Sequence, residues 1–158
     1  MLTYLYGADQ LVAGFVAQMI PHCRRGFPLD ATAIGVMRDG ALIGGMVYHN
    51  YDAEAGLIEM SGAAVDARWL TRETLARVYR YPFIQCGVQM TLMRVPIENE
   101  RLLRQLAAFN YTFVKVPRMF GRDKDGVLCL LTYEDWCENK VNKRYRHHET
   151  DAELEDAA

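Results

Sequence analysis

Arg94-Val95-Pro96-Ile97-Glu98-Asn99, read on through Phe109-Asn110-Tyr111, is the stretch that decides the fold. Gln89 to Val95 has the apolar content of a buried strand. Asn99 is placed to cap an amphipathic helix over Glu100 to Phe109, with Leu102, Leu103 and Leu106 turned inward. Asn110 ends it: a helix C-terminus often needs one residue of positive φ, and Asn is the usual substitute when Gly is absent. Tyr111 then opens another strand, to Val116.

Outward from this core the pattern continues in both directions. Ala8 to Cys23 is predicted as a helix with Leu11, Phe15, Val16, Met19 and Ile20 as its apolar stripe, ended or bent by Pro21. Ala31 to Met37 and Ala41 to Asn50 form a hairpin about Arg38-Asp39-Gly40, where Asp-Gly favours a tight turn. Gly44-Gly45 inside the second strand marks a bulge or a close backbone approach. Asp52 to Gly56 turns into a strand over Leu57 to Val65. Thr71 to Cys86 is helical by spacing, with Leu75, Val78, Tyr79, Phe83 and Cys86 on one face and a bend at Pro82. Past Val116, Phe120 to Asp125 reads as a polar turn, Val127 to Thr132 as a strand, and Tyr133 to Asn139 as a short helix. From Lys140 the chain is first basic and then acidic, a blocked pattern expected of a solvated, disordered tail over 140–158.

At 158 residues the chain is long enough for one domain with a sizeable core. A net charge of −2 gives no global case for nucleic-acid binding, and the acids after Arg146 cancel the Lys140 to Arg146 run. No apolar run approaches bilayer length and no secretory signal is visible, so a cytoplasmic protein without a membrane partner is expected. Cys23, Cys86, Cys129 and Cys137 form no Cys-x-x-Cys pair and read as free thiols.

The order of elements is α+β with a mixed sheet. With Asn99 twelve positions before Tyr111, it resembles the C-terminal half of the GNAT N-acetyltransferase superfamily, where an Asn opens a helix that ends in Gly-Phe. Asn110-Tyr111 stands in for that pair. The match runs over nearly all of residues 1–139. It implies a GNAT-like mixed, mostly antiparallel sheet flanked by helices on both faces. Trp69-Leu70-Thr71-Arg72 and Tyr81-Pro82-Phe83 also look like a small GNAT-like group of bacteriophage genomes.

The resemblance implies acetyl-CoA lying between two parting strands, its diphosphate on backbone N–H groups at the start of the following helix. The family's Gln/Arg-x-x-Gly-x-Gly/Ala loop is replaced here by Asp66-Ala67-Arg68-Trp69-Leu70-Thr71-Arg72, without either glycine. Two readings stay open. Arg68 and Arg72 supply the charge for phosphate, with Thr71 as N-cap; or Trp69 and Leu70 plug the corner and the arginines are merely solvated. Asn99 either holds the pantetheine arm as well as capping, or caps only. Arg101 and Arg104 reach cofactor phosphates or form a polar face. An N–H near Ala63, Ala64 and Val65 corresponds to the family's carbonyl-polarising donor.

Acyl transfer to an amine needs a base and an acid. The family's Tyr acid falls on Leu106, seven residues after Asn99, and is therefore missing. Strand alternation puts Leu57, Glu59 and Ser61 on one face, and Glu59 is the candidate base, direct or through water, against a purely structural carboxylate. His49 and Tyr48 are weaker candidates, and His22 reads as a helix-end residue. The implied activity is transfer of acetyl from a coenzyme A thioester to a small amine or a protein amino group. The alternative is a scaffold that kept the fold and lost its cofactor. Trp136, taken as exposed, suggests a homodimer.

Overall fold

In the computed structural model, which describes residues 1–143, the chain alternates strands and helices around a single sheet. The strands are β1 Leu2–Leu5, β2 Thr32–Arg38, β3 Ala41–Asp52, β4 Leu57–Ala64, β5 Met90–Pro96, β6 Thr112–Gly121 and β7 Lys124–Thr132. The helices are α1 Asp9–Met19, α2 Arg72–Arg80, α3 Glu100–Ala108 and α4 Tyr133–Glu138. The seven strands order as β1-β2-β3-β4-β5-β7-β6, and only β4 and β5 run parallel. The fold class is therefore the expected one, a mixed, mostly antiparallel α+β sheet.

Both faces are covered. α1 buries Val12, Ala13, Val16 and Ala17, with Val12 and Val16 packed where a Cβ on Gly45 would sit, at 2.5 and 3.1 Å. The apolar stripe thus lies one residue on from the expected one, and Leu11 is 63% exposed. The opposite face holds the larger core, where Val78 and Tyr79 of α2 and Leu106 of α3 meet Tyr48, Met60 and Leu131. The glycine pair in β3 works in two directions: Gly45 admits α1, and Gly44 lies against the Trp69 indole, 2.9 Å from where its Cβ would be.

Local chemistry explains the element ends. Asp39 (φ 50°) and Gly40 (φ 79°) make the hairpin turn, and Asn110 (φ 71°) takes the left-handed position after α3. Pro82 does more than bend α2: Tyr81–Gln85 widens into a π-type turn, with Cys86 N–H bonded to Tyr81 C=O. The sequence reading omits β1, whose Leu2 to Leu5 pair antiparallel with Arg38 to Gly35. It also ends β6 too early. The strand runs to Gly121 through an irregularity after Val116, where Arg118 has φ 61°, and a two-residue turn joins it to β7.

Trp136 is not exposed. It is 4% accessible and stacks on Phe83 at 4.9 Å between ring centroids, so it offers no surface for a second copy. Of the charged tail expected from Lys140, residues 140–143 form a helical turn in which buried Asn142 donates to Trp136 C=O, and 144–158 lie outside the described residues. Cys23, Cys86, Cys129 and Cys137 form no disulfide, and burial pushes Cys129 up to about 12. No helix among the described residues is long and apolar enough to cross a membrane.

Candidate active site: a groove between parting strands

β4 and β5 pair only at Leu57–Met90, Ile58–Thr91 and Glu59–Leu92. Beyond Glu59 they separate, and a cavity of about 440 Å³ opens between them. β3 stays paired with β4 on the other side, and Val65 N–H is bonded to Ile43 C=O at 2.8 Å. Because successive residues of an antiparallel edge strand point their N–H groups in opposite directions, those of Ala64 and Gly62 face the gap. The expected donor region thus divides: Gly62 and Ala63 line the cavity, the Ala64 N–H is turned away from β3 beside it, and the Val65 N–H serves the sheet.

The groove passes through the sheet. One wall is apolar, with Met60, Met93, Val95, Leu102 and Leu106, and the N-cap of α3 lies at its edge. Asn99 Oδ1 accepts from Leu102 N–H at 3.4 Å, so the cap is made and the amide group still borders the cavity. Leu106 occupies the wall where the resemblance implies an acid. Tyr79 also lines the groove, but its hydroxyl is bonded to that of buried Tyr111 at 2.5 Å, and burial raises its pKa above the ordinary tyrosine value. Arg104 stands on the outer side of α3, its side chain 74% exposed and 3.9 Å from Glu100.

At the strand-to-helix corner, a buried indole stands beside a cluster of charged groups. Trp69 is buried and lies across Gly44 and Gly62, with its ring 3.2 Å from where a Gly62 Cβ would be, and it forms part of the groove lining. Beside it, Asp66 collects the positive charge. Its carboxylate accepts from Arg68 N–H at 2.9 Å and from the Arg68 guanidinium at 3.0 and 3.1 Å, and it pairs with Arg38. The Arg68 hydrogen bonds hold the Asp66 carboxyl down at about 2. A carboxylate of the chain thus takes one of the corner's backbone donors. Thr71 Oγ1 caps α2 through Thr74 N–H at 3.1 Å, and Arg72 stands exposed in the first turn.

The opposite mouth, on the α1 side, is polar. Glu59 is 5% exposed, with Oε1 accepting from Arg94 Nε at 2.6 Å and Oε2 from Asn50 Nδ2 at 2.7 Å. His49 lies directly across the β3–β4 ladder from Glu59, Nδ1 3.7 Å from Oε2. Its Nε2 is 3.0 Å from Ser61 Oγ, and Ser61, with His22 and Arg94, lines the groove. Burial, more than the Arg94 charge, lowers the pKa of both His22 and His49, and Glu59 opposes the shift. The sequence reading singled out Glu59 and missed Ser61, Arg94 and Asp66. The available signal was cross-strand: the hairpin about Asp52–Gly56 places residue 49 opposite 59, and alternation puts Ser61 on the same face.

No family model matches the sequence, and no curated protein does. Solved structures do match in shape. A dodecameric spermidine N-acetyltransferase from Vibrio cholerae superposes with a TM-score of 0.71 at 12% identity, over 88% of this chain and 98% of that one. A mutant form of the same enzyme gives 0.70 at 12% identity, over 89% and 99%. An acetyltransferase-like structure from T. thermophilus gives 0.63 at 16% identity, over 77% and 68%. The chain has the fold of the GNAT acetyltransferases. At these identities the likeness is one of architecture.

Proposed function

We propose that this protein is an acetyl-CoA-dependent N-acetyltransferase that transfers the acetyl group to a small amine or a protein amino group. The observation that carries this reading is the parting of β4 and β5 after Glu59 around a groove open to both faces. Such a passage lets an acyl donor enter from the α2–α3 side and an amine from the α1 side. The apolar wall suits a pantetheine arm, which Asn99 and the Ala64 N–H would hydrogen-bond. Thr71 at the start of α2 with Arg68, Arg72 and Arg104 would meet the phosphates, and Val65 would shape the corner. When bound, the thioester supplies an activated acyl carbon with a good leaving group. The chain's part is to orient it, to polarise its carbonyl through a β4 N–H, and to move one proton from amine to thiol.

A second reading has its own support. Asp66 already satisfies the arginines and one N–H at the corner where phosphate would bind, as in a scaffold that no longer takes the donor. The two separate on binding. A ligand at about a hundred times its Kd adds about 2.7 kcal/mol of apparent stability, which raises the melting temperature of a domain this size by several degrees. Acetyl-CoA at millimolar concentration is expected to produce that rise. An unchanged midpoint selects the scaffold.

A further inference from the structure

We infer that Ser61, His49 and Glu59 form a proton relay serving acetyl transfer, with the Ser61 hydroxyl as the group that meets the acceptor amine. The inference rests on the acetyltransferase reading and replaces Glu59 as the group in direct contact with substrate.

Glu59 is poorly placed to act directly. Both carboxylate oxygens are engaged, by Arg94 and Asn50, and the side chain is nearly inaccessible. Ser61 is the next residue on the same face of β4 and does border the groove, just past the point where the strands part. Its Oγ lies 3.0 Å from His49 Nε2. The other imidazole nitrogen is turned to the carboxylate at 3.7 Å, too long for a hydrogen bond but close enough to stabilise a positive ring. Asn50 Nδ2 donates to Glu59 and lies 3.3 Å from that nitrogen; the relay uses the tautomer whose proton sits on Nδ1, toward Glu59, leaving Nε2 to accept from Ser61. Phe27 packs on the ring at 4.9 Å and holds it against water. Serine, imidazole and carboxylate thus stand in the order that hands a proton inward. Three charged or titratable groups face the His49 ring: Glu59 from β4, Arg94 from β5 and His22 from the turn after α1. Their sum with burial leaves it neutral near pH 7, the form that accepts a proton.

The proton balance closes within the relay. The amine lone pair forms the C–N bond at the thioester carbon. The amine proton goes to Ser61 Oγ as the serine proton passes to His49 Nε2, and Glu59 faces the resulting imidazolium. Collapse breaks the C–S bond: Ser61 gives the departing thiolate the proton it took from the amine and recovers its own from His49 Nε2. One relay therefore supplies base and acid in turn, which answers the apolar Leu106 at the family's acid position.

The test uses the whole chain. Acetyl-CoA binding is measured by calorimetry. Thiol release is followed with spermidine, with a peptide bearing a free α-amino group, and with water alone. Ser61→Ala is expected to keep acetyl-CoA affinity and lose about 100-fold in turnover, while Ser61→Thr, which retains the hydroxyl, recovers most of it. Glu59→Gln should move the acidic limb of the pH–rate profile to lower pH, because it removes the charge that raises the His49 pKa, and His49→Asn should abolish that limb. A failure to bind acetyl-CoA sinks the acetyltransferase reading, and the relay with it. Binding without thiol release above background sinks both readings, whereas binding and turnover with no loss in Ser61→Ala overturns the relay alone. So does loss of the limb in His22→Gln rather than His49→Asn, or an acetylated Ser61 seen by mass spectrometry, which would make the serine a nucleophile.

Discussion

The two ends of the groove are built on opposite plans. At the α1 mouth, Glu59 and His49 are buried and each polar group has a named partner: Glu59 in Arg94 and Asn50, Ser61 in His49. At the α2 corner the arginines of the loop and first turn are solvated, with Arg68 79% exposed, around a half-buried Asp66, while the buried group is an indole. A desolvated polar network tolerates little change, because each lost partner strands a charge in a medium that cannot hydrate it. A solvated cluster of arginines screens easily and can be rearranged at low cost. On the proposed acetyltransferase reading, the first end would keep geometry for chemistry and the second adaptability for a long anionic ligand.

Breaking the contrast begins with the indole. Trp69→Ala removes a buried ring packed on Gly44 and Gly62 and should cost about 3–5 kcal/mol in urea unfolding; a loss below about 1 kcal/mol would show that the corner collapses without it. Arg94→Met leaves the buried Glu59 carboxylate without its ionic partner. As Arg94 is 39% exposed, the expected loss falls below the ~3–5 kcal/mol of a fully buried broken pair, at about 2 kcal/mol. Asn99→Ala should cost about 1 kcal/mol through the lost cap and also weaken acetyl-CoA binding. Unaltered affinity would reduce Asn99 to its capping role.

Two smaller effects sharpen the comparison. Asp66→Asn removes the negative charge that holds Arg68 and Arg38, while its Oδ1 can still accept from Arg68 N–H, and is expected to tighten acetyl-CoA binding; weaker binding would mean that Asp66 organises the corner for phosphate. The histidines give a pH signature. His22 and His49 lie below their ordinary value in the folded chain, so on acidification the unfolded chain takes up protons first. Stability present above about pH 6.5 should decline as pH falls below it. Melts of a His22→Asn/His49→Asn variant should lose that component.

Much of this architecture was legible in short-range chemistry. Asn99 as cap, Asn110 in the left-handed position, the Asp39-Gly40 turn and the break at Pro82 each follow from what one or two residues can do with their own backbone. β1 was not legible, because four residues give too little alternation to stand out, and only pairing with β2 makes them a strand. Trp136 was misread because a short amphipathic helix does not disclose which neighbour covers it; Phe83, far off in sequence, does. The site divides in the same way. Asn99 and Glu59 were identified from local pattern, whereas Ser61 to His49 and Asp66 to Arg38 are contacts across strands, set by register.

The strand order carries a consequence for how the chain is made. β6 has a single neighbour, β7, which inserts between it and β5, and Trp136 just beyond closes the stack on Phe83. During synthesis β6 leaves the ribosome with no edge to join. The sheet's second half must therefore wait until residues 124–136 have emerged to wedge the two strands into register.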